Sequence, residues 1–277
     1  MPAGDGEAFV LDTAPGDSSG VPLLALHGFP TCSFDFRHVL PAIAEERRVV
    51  LPDNLGFGLS SKPDRRYGVR RYADEIEDVV RAVGLEGATV DLLTHDVGDS
   101  VGGELLARSL EGALCFDVRR RVITNGSIYM DLVQLSAGQQ FLLALPDEAA
   151  DVGGSDTFGG ALRGTMGEGA VLADDEIEAQ WLLASRGDGH RLLPRTIRYV
   201  EDRRLEGDRY TGAIEAHPSP LAIVWGDADP IAVVAMAHRL HSTVAGSTLV
   251  VLDGVGHFPM VEDPARFGAA VLAGLAG

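Results

Sequence analysis

The sequence predicts an α/β fold built on a mostly parallel sheet with helices on both of its faces. Helical patterns alternate with short apolar runs, and Tyr72–Val83 is one such helical pattern, with Ile76, Val79 and Val83 on a single face. Alternation of this kind is typical of parallel sheets. Six apolar runs, each bounded by Gly, Asp or His, are the predicted strands: Leu23–Leu26, Val49–Leu51, Val90–Leu93, Val122–Thr124, Leu221–Trp225 and Leu249–Leu252.

The alternation breaks once, between the fourth and fifth runs. From about Met130 to His217 no strand pattern is evident, and helix formers dominate the composition. A Gly-rich stretch, Gly153–Gly169, predicts a mobile loop within this region. We therefore interpret residues 131–215 as a helical cap inserted between two strands, with a core domain formed by residues 1–130 and 216–277.

Composition narrows the classes of function. The 277 residues are 45% hydrophobic, which is enough for one full-size α/β domain. A net charge of −18 argues against a nucleic acid or an anionic membrane as partner. Two cysteines, Cys32 and Cys115, imply no disulfide framework, and neither a signal peptide nor a membrane span is evident, so we expect a cytoplasmic protein. No metal-ligand cluster or phosphate-binding glycine motif stands out, so no cofactor is expected, and no pattern indicates an oligomeric state.

Two overlapping nucleophile signatures lie between Thr94 and Gly102. Gly98-Asp99-Ser100-Val101-Gly102 matches the serine esterase pattern, and Thr94-His95-Asp96-Val97-Gly98 is the same pattern with a carboxylate. A nucleophile elbow stands directly at the end of a strand. The predicted strand ends at Thr94, which places Asp96 at the elbow and Ser100 inside the following helix. We therefore favour Asp96 and interpret Ser100 as a small packing residue, with a serine esterase acting through Ser100 as the alternative.

Polar residues follow most of the predicted strands. Ligands of open α/β sheets bind beyond the carboxyl ends of the strands, because these ends meet at one edge. We expect a site there, built from the residues that follow the runs: His27, Asp53, Asp96, Asp229 and His257.

These residues stand in segments that resemble the α/β-hydrolase superfamily and, within it, the epoxide hydrolases and haloalkane dehalogenases. The chain is also similar to mesoderm-specific transcript-like proteins, on Leu92–Asp99, Thr124–Gly126 and the region around Tyr199. The resemblance implies the α/β-hydrolase fold with a cap. The matching segments follow the family's order along nearly the whole predicted core: Leu26–Thr31, Leu51–Gly58, Thr94–Gly98, Trp225–Pro230 and Gly256–Pro259.

The resemblance also implies roles. Asp96 attacks a saturated carbon and forms an alkyl-enzyme ester, and His257 activates water against that ester. Asp229 orients His257; Asp227 competes for this role, but the resemblance places the acid three residues after the glycine. Asn125 follows the fourth run and cannot carry the charge. The backbone N–H groups of Phe29 and Val97 form the oxyanion site.

Side-chain donors distinguish the two branches of the family, because each branch stabilises a different leaving group. Haloalkane dehalogenases bind the departing halide with a Trp after the nucleophile and commonly an Asn in the His-Gly-x-Pro motif, where this chain has Val97 and Phe29. Epoxide hydrolases instead protonate the leaving oxygen with cap tyrosines. Tyr199, 30 residues before Asp229, fits one of the pair, and Tyr129 or His190 is a candidate for the other. A packing role for Tyr199 on a cap helix remains open.

The sequence therefore predicts an epoxide hydrolase-like enzyme for a small hydrophobic electrophile and water. We expect Phe29, Tyr129 and Trp181 to line the substrate pocket. The apolar segment Leu132–Leu145 either lines this pocket or packs on the core. The alternatives are a haloalkane dehalogenase with the same Asp96 nucleophile, the serine esterase, a cofactor-independent oxygenase of the luciferase type and a ligand-binding homologue with weak catalysis.

Overall fold

The computed structural model describes residues 1–14, 20–148 and 152–276. Nine strands in this part of the chain are β1 (Pro2–Ala3), β2 (Gly6–Glu7), β3 (Val10–Asp12), β4 (Leu23–Leu26), β5 (Val49–Pro52), β6 (Thr89–His95), β7 (Asp117–Thr124), β8 (Leu221–Gly226) and β9 (Thr248–Leu252). The last seven form one sheet in the order β3-β5-β4-β6-β7-β8-β9. Neighbours are parallel throughout except at the edge, where β3 runs antiparallel to β5.

Helices cover both faces of the sheet, which confirms the predicted α/β class. The α-helices of the described residues are α1 (Leu40–Glu46), α2 (Val69–Ala82), α3 (Val97–Leu110), α4 (Ala137–Ala144), α5 (Ser155–Arg163), α6 (Asp174–Ser185), α7 (Leu193–Thr196), α8 (Tyr199–Ala216), α9 (Ala235–Thr243), α10 (Pro259–Glu262) and α11 (Pro264–Leu275). Short 3₁₀ segments lie at Ser33–His38 and Arg186–Leu192.

The central strands are apolar along their whole length because both of their faces are buried. In β4, Leu24 and Leu26 pack in the cluster that includes α2 and α3, whereas Leu23 and Ala25 pack in the cluster that includes α1 and α11. Side chains of a strand point alternately to its two faces, so a strand between two helix layers needs an unbroken apolar run. This is why the predicted runs recover the central strands.

The sequence prediction missed two parts of the sheet. β3 has three residues, too short for a clear pattern. β7 begins at Asp117, well before the predicted run at Val122, because charged residues occupy its first half. One of these, Arg119, pairs with the buried Asp91 of β6, and another, Arg121, is itself buried.

Helices α4–α8 make up the segment between β7 and β8. The prediction of a mobile loop at Gly153–Gly169 is wrong for Ser155–Arg163, which forms α5. Phe158 packs against Trp181 of α6 with ring centroids 5.7 Å apart. A Cβ atom at Gly159 would lie 2.6 Å from Ile177, so glycine lets α5 and α6 approach closely. Glycines that looked like loop residues therefore serve helix packing.

Helix α8 differs from the other helices of this segment because it lies along α3. The close approach occurs at Gly103, where a Cβ atom would come within 2.8 Å of the Tyr210 carbonyl oxygen. Arg209 extends the contact and donates to the buried Glu104 of α3 at 2.6 Å. The predicted cap boundary after residue 215 falls at the end of this helix, although α8 packs on the helix layer of the sheet.

Arg121 holds the C-terminal end of α8. Its side chain is 1% exposed, and it donates to the carbonyl oxygens of Ile214 and His217 and to the Ser219 hydroxyl. Burial lowers the pKa of Arg121 to about 10. The carbonyls at a helix C-terminus lack helical donors, so this guanidinium satisfies groups that would otherwise be buried unpaired.

Replacing Arg121 with Met is expected to lower the free energy of unfolding by about 2–4 kcal/mol, because several buried acceptors lose their donors. Urea denaturation followed by circular dichroism measures this difference. The matched control is Arg120→Met, at the neighbouring half-buried position on the same strand. We expect this control to change stability by less than about 1 kcal/mol. Equal losses in the two variants would contradict the anchoring role of Arg121.

Candidate active site

Asp96 stands at the sharp turn between β6 and α3. Its backbone has φ 51° and ψ −112°, a conformation that non-glycine residues rarely adopt. Close packing maintains the turn, since a Cβ atom on Gly98 would lie 2.6 Å from the Leu26 carbonyl oxygen. Strain of this kind costs about 1–3 kcal/mol and is concentrated at functional sites. The backbone at Asp96 therefore has the geometry of a nucleophile elbow.

The two carboxylate oxygens of Asp96 have different surroundings. Oδ2 accepts a hydrogen bond from the Phe29 backbone N–H at 2.8 Å, whereas Oδ1 is buried without a hydrogen-bond partner. Gly28 permits the approach, because a Cβ atom there would lie 2.9 Å from Cβ of Asp96. The Val97 N–H belongs to the first turn of α3, where amides lack helical acceptors. One oxygen is thus held by the backbone and the other is free to react.

Asp229 and His257 form a buried pair. Nδ1 of His257 donates to Oδ2 of Asp229 at 2.7 Å. Oδ1 of Asp229 accepts from the backbone N–H groups of Ile231 and Ala232, at 2.8 and 3.0 Å. Asp227, the competing acid of the sequence analysis, instead accepts from the Gly254 N–H.

Asn125 supports this pair rather than replacing its acid. Its Nδ2 donates to Oδ2 of Asp229 at 2.8 Å, and its Oδ1 accepts from the Gly226 N–H at 2.9 Å. The residue is fully buried and adopts φ 45°. The amide therefore fixes the position of the acid, a role that sequence reasoning did not assign to it.

The surroundings of His257 favour its cationic form. Burial acts to lower the pKa of His257, but the charges of Asp229, Asp96 and Glu262 outweigh burial and raise this pKa to about 9. Glu262 also accepts from the N–H groups on either side, those of Gly256 and Phe258. Because the Asp96 charge contributes to the shift, loss of that charge would lower the pKa of His257 and leave more of it in the neutral form that can accept a proton.

Tyr199 begins α8 and lies next to Asp96. The side chain is 1% exposed, and its ring is 5.8 Å from the Phe29 ring. Burial raises the pKa of Tyr199 far above its usual range, and the charge of Asp96 acts in the same direction. Within the described residues its buried hydroxyl makes no hydrogen bond of full geometry, but Gln139 and Arg203 lie close enough to act against the rise in its pKa. The phenol therefore keeps its proton and is available as a donor.

An apolar pocket opens above His257. It encloses about 730 Å³, part of which is open to solvent, and its wall includes Phe29, Trp181 and Gln139. Phe141 and Leu142 of α4 also line it. Leu142 and Leu143 pack against the core cluster that contains Tyr199, so the apolar segment Leu132–Leu145 both lines the pocket and packs on the core.

Two further candidates lie outside this pocket. Tyr129 does not line it: its hydroxyl donates to Glu215 of α8 at 2.7 Å, and the Arg239 guanidinium covers its ring. The His190 ring packs against the Trp181 ring, with centroids 5.4 Å apart, and His190 is not part of the pocket wall. Neither residue therefore borders this pocket; the sequence suggested both from residue type, with no information on where each side chain points.

The structure adds two residues that sequence reasoning missed. Gln139 closes a capping box with Ser136: its Oε1 accepts from the Ser136 N–H, and its side chain lies close enough to the Tyr199 hydroxyl to act against the rise in the Tyr199 pKa. Arg203 lies one turn after Tyr199 on α8 and donates to the Asp96 carbonyl oxygen at 2.8 Å. The Ser136-x-x-Gln139 pattern and the four-residue spacing from Tyr199 to Arg203 were both visible in the sequence.

Ser100, the alternative nucleophile, is engaged elsewhere. It lies inside α3, 4% exposed, and its Oγ accepts a hydrogen bond from Nε of Arg203. It lines a small cavity together with Asp99. Among the described residues, Asp96 and Tyr199 lie behind Phe29 and are, like Ser100, not part of the wall of the pocket that His257 lines. What distinguishes Ser100 from Asp96 is its position inside α3 and its hydrogen bond to Arg203.

Searches of the described residues found neither a group of His, Cys, Asp and Glu side chains that could hold a metal ion nor a helix long and apolar enough to cross a membrane.

Comparison with known sequences gives matches over most of the chain. A profile described as the alpha/beta hydrolase family matches residues 23–270. The hydrolase LipZ of Mycobacterium tuberculosis is 38% identical over 275 residues, which are 99% of this chain and 93% of the relative. The mesoderm-specific transcript protein of Mus musculus is 28% identical over 255 residues, covering 88% of this chain and 76% of the relative.

Solved structures share the fold. The meta-cleavage product hydrolase CumD superposes with a TM-score of 0.80 at 18% identity, and the epoxide hydrolase CorEH with 0.78 at 20% identity. An ancestral haloalkane dehalogenase superposes with a TM-score of 0.77 at 21% identity. Each match covers 99% of this chain and 96% of the other. At these identities the likeness concerns the fold.

Proposed function

The chain belongs to the alpha/beta hydrolase family, and from this premise we propose an enzyme of the epoxide hydrolase type with Asp96 as its nucleophile. The observation that carries the proposal is the asymmetry of the Asp96 carboxylate. Oδ2 is held by the Phe29 N–H, and Oδ1 is buried without a hydrogen-bond partner among the described residues, 3.7 Å from the Arg203 guanidinium. A carboxylate at an elbow, beside a His–Asp pair, suits covalent catalysis at saturated carbon.

In the first half of the reaction, Oδ1 of Asp96 attacks one carbon of the epoxide. A carbon–oxygen ester bond forms, the ring carbon–oxygen bond breaks, and its electron pair passes to the leaving oxygen. Tyr199 gives its phenolic proton to that oxygen and becomes a phenolate. A positioned acid of this kind contributes roughly 10²–10⁴-fold. Nε2 of Gln139, oriented by the Ser136 N–H, is the second donor that we propose for the leaving oxygen.

In the second half, the His257 cation passes its proton to the Tyr199 phenolate, and the neutral His257 then takes a proton from water while the hydroxide attacks the ester carbonyl. The backbone N–H groups of Phe29 and Val97 hold the resulting oxyanion. On collapse the leaving oxygen takes the proton of the new carboxyl group, which releases the diol and regenerates the Asp96 carboxylate, the Tyr199 phenol and the His257 cation. Ester formation has by then removed the Asp96 charge, which favours the neutral, basic form of His257 at the step that needs it.

Residues 131–215 are proposed to act as the cap that selects a small hydrophobic substrate. The pocket wall supports this, since α4, α5 and α6 contribute apolar side chains to it, among them Phe141, Phe158 and Trp181. Haloalkanes are disfavoured as substrates because the residues at the halide-binding positions, Phe29 and Val97, have side chains that donate no hydrogen bond.

The test is to trap the ester. His257→Gln is expected to form an adduct with an epoxide and to hydrolyse it at least 10²–10³-fold more slowly than the native protein. Intact-mass spectrometry after incubation with a panel of aryl and alkyl epoxides measures the adduct, and peptide mapping locates it.

The double variant His257→Gln, Asp96→Asn is the matched control and should show no adduct. If the folded His257→Gln protein forms no adduct with any epoxide of the panel, or forms it on Ser100, the proposal is wrong. Parallel incubation with short haloalkanes, followed by a halide assay, tests the dehalogenase alternative.

A further inference from the structure

We propose that Arg203 couples the nucleophile to the proton donor, because one buried guanidinium contacts both Asp96 and Tyr199. This inference rests on the proposed function and adds a positioning residue that acts through its charge. It assigns to Arg203 the task of stabilising the Tyr199 phenolate that ring opening produces.

The geometry places the Arg203 cation between the two reacting side chains. Nη2 lies 2.8 Å from the Asp96 carbonyl oxygen and 3.7 Å from Oδ1, the carboxylate oxygen without a hydrogen-bond partner. The central guanidinium carbon lies 4.7 Å from the centroid of the Tyr199 ring. Arg203 is 5% exposed, and the Ser100 hydroxyl accepts from its Nε. Contacts on three sides thus fix its orientation.

Ring opening moves one negative charge across this cation. Before attack the charge lies on the Asp96 carboxylate, and after attack and proton transfer it lies on the Tyr199 phenolate. Because a phenolate spreads its charge into the ring, a guanidinium stacked on that ring attracts it directly. Arg203 therefore keeps its attraction to the charge throughout the step, and no solvent has to reorganise in the buried site.

The neighbouring acid Asp99 leaves the Arg203 charge available. Oδ1 of Asp99 bonds to the Thr94 hydroxyl, and Oδ2 is buried without a partner against Gly126. Burial raises the pKa of Asp99 well above its usual value, which favours the neutral carboxyl beside the Arg203 cation. The negative charges that Arg203 stabilises are that of Asp96 before attack and that of Tyr199 after proton transfer.

The experiment compares adduct formation in the His257→Gln background, with and without Arg203→Met, for two classes of electrophile. With an epoxide, Arg203→Met is expected to slow ester formation about 10²-fold, a magnitude typical of losing one preorganised electrostatic contact. With a primary alkyl bromide, whose leaving group needs no proton, any ester formation is expected to slow much less. Arg203→Lys should restore part of the epoxide rate, because it restores the charge.

Ser100→Ala in the same background is the matched control, since it removes only the acceptor of Nε and should change the rate less than about threefold. Equal slowing of epoxide and bromide, or no slowing, overturns the coupling role while the ester mechanism stands. Absence of any adduct in His257→Gln alone overturns the proposed function, and the inference with it. If Arg203→Met does not fold, the uncharged variant Arg203→Gln takes its place: a rate equal to that of Ser100→Ala with both electrophiles refutes the role.

Discussion

Replacing Asp96 with Asn is expected to lower the turnover of any accepted epoxide by about 10⁴-fold or more, as loss of a covalent nucleophile does in other hydrolases. The amide has the size of the carboxylate, so the elbow keeps its packing. It cannot form the ester, because its oxygen is a poor nucleophile. Diol formation measured by chromatography, on freshly purified protein, gives the rate. Turnover within tenfold of the native protein would contradict the covalent mechanism.

The same variant has a consequence that needs no substrate. The Asp96 charge helps to raise the pKa of His257 to about 9, so its removal should lower this pKa. A titration of the His257 ring proton by NMR measures the shift. Asp99→Asn is the matched control three residues away, since burial raises the pKa of Asp99 and so favours a neutral carboxyl, whose replacement removes less charge than that of Asp96. An unchanged His257 pKa in Asp96→Asn would mean that the two side chains do not interact.

Asp229→Asn is expected to reduce turnover by about 10⁴-fold, the scale reported for the corresponding change in a Ser-His-Asp triad. All four partners of the Asp229 carboxylate are N–H groups: those of Asn125, Ile231, Ala232 and His257. An amide in this place turns an NH₂ group toward at least one of these donors, whichever way it is oriented. It also removes the charge that stabilises the His257 cation.

The measurement is steady-state kcat/KM together with the mass of the enzyme during turnover. Because ester hydrolysis is the step that needs His257, the Asp96 ester is expected to accumulate in Asp229→Asn. Asp227→Asn is the control, since Asp227 accepts only from the exposed Gly254 N–H. A comparable loss in both variants would show that the acid of the pair has been assigned wrongly.

More of the fold than of the candidate site could be predicted from the sequence. Strands such as β4 are recognisable because burial on both faces demands continuous apolar residues. The first half of β7 was not predicted because it contains arginines, which interrupt the apolar pattern. These arginines bond to groups distant in sequence, which include the Asp91 carboxylate and the carbonyls at the end of α8. A local pattern does not contain such partners. The same holds for α5, whose glycines fit helix packing only when α6 is present.

In the candidate site, the residues that follow strands could be predicted more fully than those of the helical segment, where Tyr199 and Trp181 were predicted but Gln139 and Arg203 were not. Asp96, Asp229 and His257 each stand in a short motif at a strand end, and parallel topology brings such ends together. Tyr129 and Trp181 were both expected at the pocket, and only Trp181 lies there. Arg203 reaches Asp96 across 107 residues of sequence, a contact that no local spacing reveals.

The anchoring of α8 has a consequence for how this protein can change over evolutionary time. Tyr199 and Arg203 belong to α8, and Arg121 of β7 hydrogen-bonds the C-terminal end of this helix to the sheet. Helices α5 and α6 contribute side chains to the pocket wall, whereas the carbonyls that Arg121 holds lie at the end of α8. If this pocket takes the substrate, as we propose, substitutions in α5 and α6 would change which molecules fit while leaving Tyr199 and Arg203 in place.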